Sequence, residues 1–97
     1  MMTVPIRAVP AQVFDIVLGK QACTIKIYQK QYGLFLDLIA AGKPVITGVL
    51  CRDRSYIVRH EHLGFRGDMY FADSQGNSDP EHSGLGSRFV LIYQEEA

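Results

Sequence analysis

Gln21-Ala-Cys-Thr-Ile-Lys-Ile-Tyr-Gln-Lys30 is the stretch that decides the fold. Cys23, Ile25 and Ile27 alternate with Thr24, Lys26, Tyr28 and Lys30, and a period of two places the first set on one face of a strand and the second on the other. The pattern resumes beyond Tyr32-Gly33, where Leu34, Leu36 and Leu38 share one face and Phe35, Asp37 and Ile39 the other. These two segments predict a hairpin. Upstream, Val13-Phe-Asp-Ile-Val-Leu18 is rich in β-branched residues and stops at Gly19-Lys20. Downstream, Val45 to Cys51 follows the turn Ala41-Gly-Lys-Pro44, so residues 13–51 predict a four-stranded meander.

The second half is less regular. Arg52 to His62 mixes basic and His side chains with Tyr56, Ile57 and Val58, and reads either as a strand with an irregular entry or as one helical turn. Asp68 to Ala72 and Ser87 to Tyr93 predict two more strands, joined by the polar loop Gln75 to Gly86. Six or seven antiparallel strands without a strong amphipathic helix point to an all-β fold, a small β-sandwich or partly closed β-barrel.

Ninety-seven residues suit one domain spanning 1–97. A chain of this size buries about 64% of its unfolded surface, enough for a single modest core. With 47% hydrophobic and 21% charged residues, the composition excludes a wholly disordered or collagen-like chain. The longest apolar region, Leu34 to Leu50, is broken by Asp37, Lys43 and Pro44, so no membrane span is expected. Cys23 and Cys51 are too few for a disulfide framework, and the opening residues contain no signal-like apolar run, which together read as synthesis in a reducing cytoplasm.

Ten Lys and Arg balance ten Asp and Glu, against the basic excess of a dedicated nucleic-acid binder. The balance is uneven along the chain. Residues 1–51 carry five Lys or Arg against Asp15 and Asp37, residues 52–66 carry four Arg against Asp53 and Glu61, and residues 67–97 carry Arg88 against six acids. If folding keeps these stretches apart, oppositely charged faces are available for stacking in an assembly.

Few residues suggest chemistry. His60-x-His62, with His82 as a third nitrogen, has the residue types of a catalytic zinc site but no diagnostic spacing, and solvated histidines explain it as well. The loop Asp73, Asn77, Asp79, Glu81 fails the calcium pattern: Ser78 stands at the obligatory glycine and Gly84 at the bidentate Glu. Gly84-Leu-Gly-Ser87 precedes a strand rather than a helix, so it is a turn. Asp15 and Asp37 could pair for acid–base work or simply face solvent, and Cys23 and Cys51 lie in apolar strands with no adjacent base. No catalytic, metal or cofactor-binding residues are assigned. Arg52, Arg54, Tyr56 and Arg59 combine arginine with an aromatic, the composition enriched where proteins meet, and are the candidate partner contacts. The same residues could grip single-stranded nucleic acid on a β-barrel, a reading weakened by the zero net charge.

Four blocks also carry a resemblance: Val4-Pro-Ile-Arg-Ala-Val-Pro-Ala-Gln12, Gln21 to Tyr28, Gly64-Phe-Arg-Gly-Asp-Met-Tyr-Phe-Ala-Asp-Ser-Gln-Gly76, and Gly84-Leu-Gly-Ser-Arg-Phe-Val-Leu-Ile-Tyr93. Together they resemble the baseplate plug family of contractile-tailed, cyanophage-type phages and prophages, over about Thr3 to Gln94. The resemblance implies a small all-β structural protein at or near the central hub of a tail baseplate, without catalysis or cofactor. Its implied partners are other tail baseplate or hub proteins, with self-association open. It assigns no individual site residue. Three functions are thus in play: a baseplate component made in the bacterial cytoplasm and assembled into the virion tail, a single-stranded nucleic-acid-binding barrel, and a small metal-dependent enzyme using His60 and His62.

Overall fold

Gly19 and Lys20 have φ of 56° and 65°, and Ala41 and Gly42 have φ of 52° and 76°. Two successive positive φ values are the signature of a type I′ turn, whose twist matches that of the strands it joins. The computed structural model describes residues 2–59 and 65–95. Its strands are β1 (Met2–Val4), β2 (Ala11–Leu18), β3 (Gln21–Lys30), β4 (Gly33–Ala40), β5 (Lys43–Leu50), β6 (Asp68–Asp73) and β7 (Phe89–Gln94), with one turn of 3-10 helix at His82–Gly84. The two I′ turns therefore connect β2 to β3 and β4 to β5.

The meander is present, with strand order β2-β3-β4-β5, all antiparallel. A second antiparallel sheet has the order β1-β7-β6. The sheets do not close on one another, so of the two architectures the sequence allowed, the sandwich is the one formed. Cys23, Ile25, Ile27, Leu34, Leu36 and Leu38 point inward, on the faces their alternation predicts, and meet Val4, Met69, Phe71, Leu91 and Tyr93 of the smaller sheet. Leu36 and Leu38 are fully buried, and truncating such a leucine to alanine costs about 2–5 kcal/mol.

Several boundaries differ from the sequence reading. β2 starts at Ala11 rather than Val13, and β5 starts at Lys43 and takes in Pro44, which is tolerated because β5 is an edge strand. β5 also carries two register shifts against β4. Gly48, with φ of 64°, sits at the first of them, and the Asp37 carboxylate holds it there by accepting from the Gly48 N–H at 2.6 Å and the Tyr28 hydroxyl at 2.9 Å. β1 is too short to show a period.

Neither reading of Arg52 to His62 describes residues 52–59. They contain no helical turn and lie as an irregular ribbon along the outer edge of β6, where the N–H of Arg54 donates to the Phe71 carbonyl at 2.7 Å and that of Ile57 to Met69 at 2.9 Å. His60 and His62 fall outside the described residues. Among those described, no helix is long and apolar enough to cross a membrane.

Candidate interaction surface

The ribbon of residues 52–59 is held by two acids. Buried Asp68, the first residue of β6, accepts from the N–H of Val58 at 2.8 Å and of Met69 at 2.7 Å through one oxygen, and from the Arg59 N–H at 2.8 Å through the other. Asp53 accepts from the Asp73 N–H at 2.8 Å, while its own N–H donates to Asp79 at 3.0 Å. These side chains satisfy backbone groups that no strand partner reaches, which is why an irregular segment can lie against a sheet edge. Ile57 and Val58 are buried as a result, and the arginines beside them stay at the surface.

The four candidate contact residues then part company. Arg52 and Arg59 border a cleft of about 510 Å³ between this ribbon and β5, walled by Ile46, Val49, Leu50, Ile57 and Val58. Arg54 turns the other way: its guanidinium donates to the carbonyls of Asp73 at 3.1 Å and Gly76 at 3.2 Å and to Asn77 at 3.2 Å, and is paired with Asp53. It is a clamp on the loop after β6. Tyr56 packs edge-on against Tyr70, ring centroids 5.7 Å apart, and its hydroxyl donates to Gln94 at 2.9 Å. Only Arg52 and Arg59 share one site, and Arg59 is steadied there by donating through Nε to the Tyr56 carbonyl at 3.1 Å. The apolar wall was missed in the sequence; its only signal was the weak alternation of Val45 to Leu50, half-buried on both faces.

What such a cleft can do is bind. An apolar floor with guanidinium groups on its rim accepts an apolar side chain flanked by carboxylates, as interface cores with charged rims do. The family model described as cyanophage baseplate Pam3 plug gp18 matches residues 1–96. The chain belongs to this family. No curated protein matches it.

Elsewhere in this member of the family, the acids and cysteines weighed for chemistry are engaged in the fold. Asp15 and Asp37 are not paired with each other: Asp15 accepts from the Thr24 hydroxyl at 2.7 Å, and Asp37 serves the β5 bulge. Asp73, the first residue of the calcium-like loop, is buried and saturated by Arg88, Gln75 and Ser78. The His82 Nδ1 atom is buried without a hydrogen-bond partner, and among the described residues no three metal-ligating side chains cluster. Cys23 and Cys51 are buried free thiols, both pushed up by burial, Cys51 to about 12. Because Asp68 and Asp73 lie inside the molecule, the acidic stretch of the sequence is less acidic at the surface than its composition indicates.

Proposed function

We propose that this chain, acting as one baseplate-plug-like β domain over residues 1–97, is a structural component of a contractile phage or prophage tail baseplate that plugs or bridges its central hub. The observation that carries the reading is membership of the baseplate plug family over residues 1–96. The cleft between β5 and residues 52–59 supports it by supplying a contact: Arg52 and Arg59 on the rim suit a neighbouring baseplate or hub protein that offers carboxylates beside an apolar anchor. The protein is synthesised in the bacterial cytoplasm, enters the virion tail by such contacts, and has no catalytic role.

The nucleic-acid reading loses support from the divergence of its residues. A single-strand groove needs cations and stacking aromatics on one track, whereas Arg54 is spent on the loop after β6 and Tyr56 is packed edge-on against Tyr70. The test is to purify tails from a producing strain with the gene deleted and with it restored. The proposal expects the protein in purified baseplates at a fixed ratio to the hub protein, and defective tails without it. Its absence from intact, functional tails would refute the proposal, and salt-sensitive oligonucleotide binding by the isolated protein would replace it.

A further inference from the structure

Open sheet edges present unpaired backbone donors and acceptors, and folded proteins blunt or cover them. Here the outer edge of β6 is covered by residues 53–57, β5 is broken by two register shifts and a proline, and β1 has three residues. β2 has none of these defences. It runs eight residues in unbroken register with β3, from Ala11 opposite Tyr28 to Leu18 opposite Gln21, with no proline and no positive φ.

The register fixes which groups are left over. The two-residue turn makes Leu18 and Gln21 a hydrogen-bonded pair, and antiparallel alternation carries this to Ile16, Phe14 and Gln12. The Gln29 N–H donating to the Pro10 carbonyl at 2.8 Å continues the series. The backbone groups of Ala11, Val13, Asp15 and Val17 therefore point away from the sheet, and among the described residues none has a backbone partner. Val13 and Val17 are 61% and 63% exposed, against 39% for Met2 and Ile39. On the inward side of the same edge, Pro5, Ile6, Phe14 and Ile16 line an open groove of about 400 Å³.

We infer that β2 pairs edge to edge with the β2 strand of a second copy of this chain, antiparallel about a two-fold axis at Phe14. Only residues with outward backbone groups can bond, so the register must join odd-numbered positions. Centring on Asp15 would set two carboxylates opposite each other and leave Ala11 facing the Gly19 turn, and centring on Val13 would leave Val17 facing Val9, outside the strand. Centring on Phe14 bonds all four outward residues: Ala11 to Val17 of the second copy, Val13 to its Asp15. The two Phe14 side chains then meet over the groove as a cross-strand aromatic pair. Zero net charge leaves no overall repulsion between copies. The contact is isologous, and with β5 blunted at the far edge the assembly closes as a dimer instead of growing. This inference stands apart from the baseplate reading, because it concerns the opposite edge of the four-stranded sheet from the arginine cleft.

Sedimentation equilibrium on the purified chain, up to about 1 mM, tests it. The mass should rise from one chain to two and no further, and the Val13, Asp15 and Val17 amides should become slower to exchange with deuterium as concentration rises. Val13→Pro removes an N–H that the monomer does not use, so it should fold while weakening dimerisation at least about tenfold. Ile39→Lys, on the outer face of β4 away from that edge, should leave the dimer intact. A monomer at every concentration, a dimer without that amide pattern, or one abolished by Ile39→Lys would each overturn the inference. The exchange measurement decides the matter if Val13→Pro does not fold.

Discussion

Arg88 grips Asp73 with both arms of its guanidinium, Nε to one carboxylate oxygen and Nη2 to the other, each at 2.9 Å, and Asp73 is only 1% exposed. The N–H groups of Gln75 and Ser78, both at 2.9 Å, complete four donors on one carboxylate. The acidic loop that fails the calcium pattern is thus built around a cation from the protein itself. With the Arg88 guanidinium beside it, the Asp73 carboxyl is held well below the usual carboxylate range. In the unfolded chain the same group titrates at about 3.9, so below that pH the unfolded state binds the proton first. The stabilisation is present above about pH 4 and is lost as pH falls toward the folded value. Denaturant unfolding between neutral pH and the acid range should show this loss, and Arg88→Met should lower stability at neutral pH while flattening the acid dependence.

Ala41 occupies the first position of a type I′ turn with φ of 52°, where an L side chain other than Asn or Asp is strained. Ala41→Asn creates the favoured Asn-Gly pair with Gly42 and should stabilise the protein by about 1 kcal/mol. For a domain of this length that is a rise in melting temperature of about 4–8 °C, readable by circular dichroism.

Cys51 is 2% exposed and its thiol is pushed up to about 12 by burial, while Cys23 is 3% exposed and shifted in the same direction. The thiolate is the reactive form. Neither cysteine should react with a thiol reagent at neutral pH until the protein unfolds, and both should then titrate as free thiols without added reductant.

Arg52 and Arg54 are two residues apart and should behave oppositely. Arg54→Ala removes the donors that hold Asp73, Gly76 and Asn77, which for a half-exposed guanidinium costs about 1 kcal/mol. Arg52 is exposed and makes no ion pair among the described residues, so Arg52→Ala should change stability by less than about 0.5 kcal/mol. Melting curves of the two single variants separate them.

How much of this was legible in the sequence follows from the range of the interactions involved. The β3 and β4 faces could be read because alternation is local, and each inward Ile or Leu declares its side through its immediate neighbours. β1 could not, since three residues ending at Val4, next to Pro5, carry no period and are ordered by pairing with β7 at the other end of the chain. Residues 52–59 resisted reading because Asp68, ten residues beyond Val58, holds them through side-chain bonds. For the candidate site, composition alone singled out Arg52, Arg54, Tyr56 and Arg59. Their directions depend on positive φ at Arg54 and Arg59 and on partners from Asp73 to Gln94, which only the folded chain brings near.

The central claim, that this protein works by docking into a tail baseplate through the cleft beside β5, is tested most directly by reversing the charge on its rim. Arg52→Glu with Arg59→Glu should leave the melting temperature within a few degrees of the parent, since the Arg59 backbone remains held by Asp68. Incorporation into purified tails, measured as the ratio of this chain to the hub protein, should fall by at least about tenfold, as expected when contacts worth more than about 1 kcal/mol become repulsive. Incorporation of the folded double variant at the parental ratio would contradict the account.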